Sequence, residues 1–245
     1  LSDTAFTVNW QTETPAAGII TISSTNQKKI VFFDERDSDI GKLGKYTTHL
    51  ATARNLTPKT EYSVKIVSNG KTFLNINGQP YLVHTAPVLN SNPSGLEPAY
   101  GNVINLDNQP AAGAIIFLTL DKSQTLSALV KNSGSWLIPL NLTRTNDLQG
   151  YLVSQERINE TINIILDDQT INATTDTLND SPVPSMIMGK SYDFRALQAN
   201  LGKQQTLKNK PTILGSQTVI ASNTGKVSLV TPSQGAALPT ALPLI

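Results

Sequence analysis

Apolar and polar residues alternate with a period of two in short segments along most of the chain. In the segment TAFTVNW, Phe6, Val8 and Trp10 fall on one face of an extended strand. The same alternation places Ile20 and Ile22 together in GIITIS. Because successive side chains of a strand point to opposite faces, this pattern predicts strands with one buried face. Apolar residues at helical spacing are nearly absent, so the chain is predicted to be all-β.

Further short strands are predicted in the rest of the first 87 residues. The residues that share a face are Tyr46, Thr48, Leu50 and Thr52 in YTTHLATA, and Tyr62, Val64 and Ile66 in EYSVKIVS. The segments KKIVFF and PYLVHT supply further strands, and the turn segments SNG and NING separate some of them. Roughly six or seven short strands in this length are typical of a β-sandwich.

The segment NLTPKTEYSVKI, residues 55–66, carries the most specific local pattern of the first half. Pro58 restricts the backbone at the end of a loop, and Tyr62 begins the alternation that follows. The ring of Tyr62 can enter the core while its hydroxyl bonds back to the preceding turn. A buried tyrosine corner is therefore predicted here.

This segment resembles the leucine, proline, threonine and tyrosine signature of fibronectin type III domains. The matching residues are Leu56, Pro58, Thr60 and Tyr62, and Trp10 stands where that family has its core tryptophan. Thr-His-Leu at 48–50 is similar to the fibronectin-like domain that precedes the catalytic domain of purple acid phosphatases. The resemblance implies an Ig-like sandwich over residues 1–87 and carries no catalytic residue.

A proline-rich segment, TAPVLNSNPSGLEP, follows at residues 85–98. Its prolines, glycine and small polar residues favour an extended connection over a helix. Residues 88–95 are therefore predicted to be a linker that makes few contacts. A substitution in one half is then expected to leave the stability of the other half unchanged.

The second half resembles carboxypeptidase regulatory-like domains, which are transthyretin-like β-sandwiches. The resemblance is carried by Gly101, Val103, Asp107, Pro110, Gly113, Ala114 and Ile116, and by the shared face of Trp136, Ile138 and Leu140 in NSGSWLIPL. It implies a second sandwich over residues 96–231, in which ETINIILDD and SMIMGKSYDF are closing strands. The match fades from about residue 195, where a short helix or a connecting loop is expected, before two strand-like runs, PTILGSQTVIA and GKVSLVTP.

The last segment, residues 232–245, is apolar but contains Pro239 and Pro243, which exclude a helix and a central strand. Two interpretations remain open: the first strand of a further domain, or a segment that docks on a neighbouring subunit. In both, the residues predicted to make the interaction are Leu238, Leu242, Leu244 and Ile245.

Composition excludes several classes of protein. The net charge is +1, charged residues make up 15% of the chain, and no basic run exceeds QKK, which argues against nucleic-acid binding. The chain has no cysteine, so disulfides, thiolate metal sites and cysteine nucleophiles are excluded. No apolar run approaches the roughly 20 residues that span a bilayer, so no membrane span is predicted.

Candidate chemical groups are few. The acidic run DERDSD, with Asp34, Glu35, Asp37 and Asp39, could bind calcium, but it lacks EF-hand spacing, and a solvated loop is the favoured interpretation. His49 and His84 lie in predicted strands with no nucleophile motif beside them, so structural roles are favoured. No cofactor, metal site or catalytic residue is predicted, and the partners of any Lys-Asn isopeptide crosslink remain open.

Two function hypotheses follow. In the first, these are structural and interaction modules of an exported bacterial surface protein or filament, joined end to end to neighbouring β-domains or to identical subunits. In the second, they are non-catalytic accessory domains of an extracellular phosphatase or glycan hydrolase. Both place the chain outside the cell or at its surface, and neither makes it an enzyme. A glycan or surface ligand remains open, as does the choice between a filament and a single-chain array.

Overall fold

The computed structural model describes residues 1–25, 27–38, 42–75, 77–153 and 157–196. These residues form fifteen β-strands, and no helix occurs among them. The all-β prediction is confirmed. The helix or loop expected from about residue 195, the two later strand-like runs and the segment 232–245 lie outside the described residues, apart from the first two residues of that loop. No helix in the described ranges could therefore cross a membrane.

The first sandwich has two antiparallel sheets. Its strands are β1 (Phe6–Ala16), β2 (Gly18–Ser24), β3 (Gln27–Phe33), β4 (Tyr46–Ala53), β5 (Glu61–Ser68), β6 (Lys71–Phe73) and β7 (Tyr81–His84). β1 pairs with β4 in one sheet, whereas β2 lies between β3 and β5 in the other, with β6 and β7 both paired to β5. The predicted apolar faces of β1, β2 and β5 meet in one core with Leu56.

Tyr62 forms the predicted tyrosine corner. Its side chain is fully buried, and its hydroxyl accepts a hydrogen bond of 2.9 Å from the backbone amide of Thr57. Leu56 is buried beside it, and Trp10 belongs to the same cluster. The local pattern at residues 55–66 thus specifies both a core residue and a backbone contact.

The second sandwich packs a five-stranded sheet on a three-stranded one. Its strands are β8 (Ala99–Ile104), β9 (Ile115–Leu120), β10 (Leu126–Leu129), β11 (Ser135–Ile138), β12 (Asn159–Leu166), β13 (Gln169–Asp176), β14 (Val183–Ile187) and β15 (Ser191–Asp193). The sheet orders are β10-β9-β12-β13-β15 and β11-β8-β14. Only the pairs β13–β15 and β8–β14 are parallel within the described residues.

Trp136 sits at the centre of the second core, together with the predicted neighbours Ile138 and Leu140. Gly101 lies directly opposite Trp136 on β8. A Cβ at Gly101 would stand 2.8 Å from the carbonyl oxygen of Val183 and 3.2 Å from the indole nitrogen of Trp136. Glycine is therefore needed at this position, because any side chain would displace a strand or the indole.

Tyr192 repeats in the second sandwich the hydrogen bond that Tyr62 makes in the first. The backbone amide of Ile187, five residues earlier, donates to the Tyr192 hydroxyl at 2.8 Å. The Tyr192 ring also stacks on Phe194, with 5.2 Å between the ring centroids. Each sandwich therefore has a tyrosine that joins its core to a turn.

We predict that Tyr62→Phe and Tyr192→Phe each lower the free energy of unfolding by about 1 kcal/mol or more, because each removes a hydroxyl that accepts a backbone hydrogen bond and removes no apolar surface. Urea denaturation measures the effect. Tyr100→Phe is the matched control, since Tyr100 is 41% exposed and its hydroxyl has no hydrogen-bond partner among the described residues. Wild-type stability in both core variants would contradict the assignment.

Candidate functional site at the junction of the sandwiches

The two sandwiches meet through an apolar contact that involves a face of β4. Leu50 is buried against Ile115 and Phe117 of β9 and Ile165 of β12. Leu129 of β10 packs at the border of this cluster. In register, Ile115 lies between Leu129 and Ile165, so the three form a row across the five-stranded sheet.

These residues occupy the faces of their sheets that point away from the two cores. On β4, Ala51 belongs to the first core and Leu50 does not. On β9, Ile116 belongs to the second core, whereas its neighbours Ile115 and Phe117 belong to the junction. The sandwiches therefore pack sheet on sheet, through faces that would otherwise be solvated.

The residues predicted to share one face of β4 do lie on the same face. That face does not pack in the first core. Ala51 and Ala53 fill that core, opposite Val8 and Phe6 of β1, because small residues fit beside larger ones. Leu50 points to the second sandwich. Sequence analysis did not identify Ile115, Phe117 and Ile165 as junction residues. The available signal was the unbroken apolar run in β9, which is typical of a strand covered on both faces.

The two halves also make polar contacts with each other, one of them at Pro87, at the start of the proline-rich connection. The side chain of Arg144, in the second sandwich, is only 3% exposed. Its guanidinium donates to the carbonyl oxygen of Pro87 at 2.8 Å and lies 3.2 Å from the Asp3 carboxylate. The proline-rich connection itself contains no strand. Through its contacts with Pro87 and Asp3, Arg144 of the second sandwich binds both the start of this connection and the first sandwich.

A second polar contact stands elsewhere on the junction. Asp167, in the turn between β12 and β13, accepts a hydrogen bond from the Thr47 hydroxyl through its carboxylate. Its carbonyl oxygen accepts a bond of 3.3 Å from the side-chain amide of Gln11. Its φ of 52° lies in the left-handed region. Arg144 and Asp167 therefore add polar contacts to the apolar centre of the junction.

Asp34 binds the backbone of Leu50 at the edge of β4 that faces away from β1. The carboxylate is fully buried and accepts bonds of 2.7 and 2.9 Å from the Arg36 guanidinium and 3.1 Å from the Leu50 amide. Burial raises the pKa of Asp34, but the bonds from Arg36 and the contact with His49 outweigh it, so the pKa lies well below its usual range. Asp34 is therefore ionised, and its carboxylate accepts the hydrogen bond that the Leu50 amide donates at the outer edge of β4.

Arg36 extends this cluster toward the second sandwich. It donates to the carbonyl oxygen of Thr48 and lies 3.5 Å from the centroid of the Tyr46 ring. A Cβ at Gly113 of the second sandwich would stand 3.2 Å from the guanidinium. Gly113, whose φ of 82° also favours glycine, therefore leaves room for the guanidinium where the two sandwiches approach.

The favoured interpretation of DERDSD as a solvated loop is wrong for Asp34 and Asp37. Asp37 is 2% exposed, and its carboxylate accepts bonds of 2.8 Å from the Tyr46 hydroxyl and 3.0 Å from the Gly44 amide. Burial, together with Asp37, raises the pKa of Tyr46 to about 12. Asp39 lies outside the described residues. In the described ranges no three acidic or histidine side chains are placed so that they could hold a metal ion.

Both histidines lie in strands, as predicted. His49 is fully buried and stacks on Trp10 with 4.6 Å between ring centroids. A Cβ at Gly18 would stand 2.5 Å from the Trp10 ring, so this stack requires a glycine beside it. His84 is exposed, and its Nε2 lies 3.0 Å from a carboxylate oxygen of Glu61.

A second group of buried acids lies in the other sandwich. Glu160 of β12 is 1% exposed and Asp180 is 3% exposed. Burial and then repulsion from Asp180 raise the pKa of Glu160 to about 9, and burial also raises the pKa of Asp180. Asp176, fully buried nearby, is instead paired with Arg157 at 2.9 Å. Glu160 is therefore neutral at physiological pH.

Comparison with known proteins adds little to this geometry. No family model matches the chain, and no curated protein matches it. The chicken CNTN1 FN1-FN3 domains are a solved structure with 12% identity and a TM-score of 0.27, over 76% of this chain. The chain spans 64% of the length of that structure. A likeness at this level carries no argument, so the sandwich fold is inferred from the strand order alone.

We predict that Leu50→Ala lowers the free energy of unfolding by about 2–5 kcal/mol and uncouples the sandwiches, because it leaves a cavity in the junction. The two tryptophans, Trp10 and Trp136, report on separate cores. Single-tryptophan backgrounds should show coincident denaturation midpoints in the parent and separated midpoints after Leu50→Ala. Leu82→Ala, at a residue that is 47% exposed, is the control. Separate midpoints already in the parent would contradict the coupling.

We also predict that Glu160→Gln stabilises the protein at about pH 8 by more than about 1 kcal/mol. The folded pKa of about 9 exceeds the unfolded value. Between these two pKa values the unfolded state binds fewer protons at this position than the folded state, so the free energy of unfolding falls as the pH rises. Glutamine does not titrate, so the variant lacks this pH dependence. Thermal denaturation from about pH 5 to 9 measures the slope, with exposed Glu97→Gln as control. An unchanged slope, or a less stable variant at about pH 8, would refute the burial argument.

Proposed function

We propose that this chain is a structural and interaction segment of an exported bacterial surface protein or filament. The observation that supports it is the junction, in which Leu50 packs into the outer face of the second sandwich and Arg144 and Asp167 add polar contacts. Domains joined by a flexible linker would not need such a contact. Sandwiches locked in one orientation suit a spacer that keeps its shape and presents its ends in fixed directions.

We further propose that the chain has no catalytic activity of its own. In support, the buried polar groups near the junction are engaged in internal contacts. Asp34 is bonded to Arg36 and to backbone, and His49 lies flat against Trp10. Neither group faces an open cleft from which a substrate could be reached.

The partners proposed are neighbouring β-domains or identical subunits, outside the cell or at its surface. The contact residues proposed are Leu238, Leu242, Leu244 and Ile245. Apolar residues in a proline-containing segment gain little from a helix or from free solution, which supports a role in which another molecule covers them. End-to-end association of such units would generate a filament or an array.

Sedimentation velocity and electron microscopy of the 245-residue chain test this proposal. We expect association that rises with concentration in the full chain and is lost in residues 1–231 and in the double variant Leu242→Asp, Leu244→Asp, because carboxylates cannot be buried unpaired. Leu106→Asp is the control, since Leu106 is 69% exposed in a turn.

A full chain that stays monomeric, or equal association of the truncated chain, would contradict the proposal. Saturable turnover in a phosphatase, esterase or glycosidase panel, abolished by changing His49 or His84, would contradict its non-catalytic part.

A further inference from the structure

We infer that the free edge of β1 is the acceptor for residues 238–245 of a second copy of this chain. The inference rests on the proposed function, in which copies join through their C-terminal segment. It adds where that segment binds and which of its residues face the core.

The backbone groups at the free edge of β1 can be assigned from the opposite strand. The Leu50 amide donates to Asp34, and the Leu50 carbonyl oxygen accepts from the Glu35 amide at 2.8 Å, so both groups point away from β1. Leu50 lies opposite Asn9. In an antiparallel pair, both residues of such a position direct their backbone groups outward. The N–H and C=O of Asn9 therefore point to the free edge of β1.

The period of two extends this assignment to Thr7 and Gln11, which lie opposite Thr52 and Thr48. No strand in the described part of the chain pairs with this edge. The edge thus offers backbone donors and acceptors at three alternating positions, enough to register an added strand.

Two other edges of the first sandwich, those of β4 and β3, carry protecting groups, whereas β1 carries a charge and a proline only beyond residue 12, at Glu13 and Pro15. The outer edge of β4 is covered by Asp34, Glu35 and Arg36, and β3 carries the exposed Lys28 and Lys29. Residues 6–12 of β1 include no charge and no proline. Strand edges without such devices are sites of strand addition. Val8, which packs against the first core but is only half-buried, leaves apolar surface for an added strand to cover.

The C-terminal segment LPTALPLI has the pattern of a strand that can pair on one side only. Pro239 and Pro243 are four residues apart, so in an extended strand both lie on the same edge, where their missing N–H groups are not needed. The opposite edge presents the backbone of residues 240, 242 and 244. When this segment runs parallel to β1, residue 241 lies opposite Asn9, and Leu238, Leu242 and Leu244 share the other face, which can cover the core beside Val8. The prolines would end the sheet and prevent further addition.

The direction of the chain favours a second copy as the source of this segment. The Asp167 turn touches the first sandwich at one end of β13. β15 runs parallel to β13 and lies beside Asn172 to Thr174, so the chain leaves the described residues toward the other end of the sandwich. Residue 196 therefore lies toward the end opposite the junction, and a donor from a second copy suits a head-to-tail contact that does not close on itself.

Disulfide trapping tests the pairing, because the chain contains no cysteine. Asn9 and Ala241 are expected on the same face of the extended sheet, so one chain carries Asn9→Cys and the other carries Ala241→Cys. After mixing and mild oxidation, we expect about tenfold more disulfide-linked heterodimer than with Thr72→Cys, an exposed residue on β6, in place of Asn9→Cys. Gln11→Cys repeats the test at an exposed position if Asn9→Cys fails to fold.

Heterodimer no more abundant than the Thr72→Cys control would overturn the inference. An intrachain disulfide in the double variant, without heterodimer on mixing, would also overturn it, since the segment would then occupy the β1 edge of its own chain. If association still required residues 232–245 in either case, the proposed function would stand and only the acceptor would be wrong. Loss of tail-dependent association would instead remove the proposed function itself.

Discussion

The buried carboxylate of Asp34 is the contact on which the arrangement of the two sandwiches depends. This fully buried carboxylate accepts hydrogen bonds from the partly exposed Arg36 guanidinium and from the Leu50 amide. A buried ion pair of this kind contributes little net stability, but loss of one partner is costly because a charge is then buried alone. Its effect here is geometric, since it fixes the edge of β4 and with it the position from which Leu50 reaches the second sandwich.

The junction that results is closer to a domain interior than to a flexible linkage. Its centre is apolar, and its polar contacts come from Arg144, Thr47 and Asp167. The proline-rich connection only links the two sandwiches covalently, because residues on the faces of the sheets make the contact between them. Rigid pairs of sandwiches transmit force and direction, which is what the proposed surface or filament segment would require.

The features predicted correctly from the sequence are local ones. The alternating faces of β1, β2 and β5 follow from the period of two, and the Tyr62 hydrogen bond follows from a proline-bounded turn five residues earlier. β13 was not predicted, because QTINATTD is mostly polar and buries small residues such as Ala173 beside Ile171.

The junction could not be predicted for a different reason. The apolar run in β9 indicates burial on both faces but does not say what covers the second face. Asp34 and Asp37 read as solvated because their partners, Leu50 and Tyr46, approach only when the turn folds back on β4. The junction contact joins segments far apart in the chain, whereas the contacts of the two aspartates join residues 16 and 9 positions apart across an irregular turn.

Residual dipolar couplings of backbone amides, measured in a dilute aligned medium, test the central claim of a rigid junction most directly. The account predicts that one alignment tensor fits the couplings of strands β1–β7 and β8–β15 together. Tensors of different magnitude or orientation for the two sandwiches would contradict it, because they would require the sandwiches to move independently.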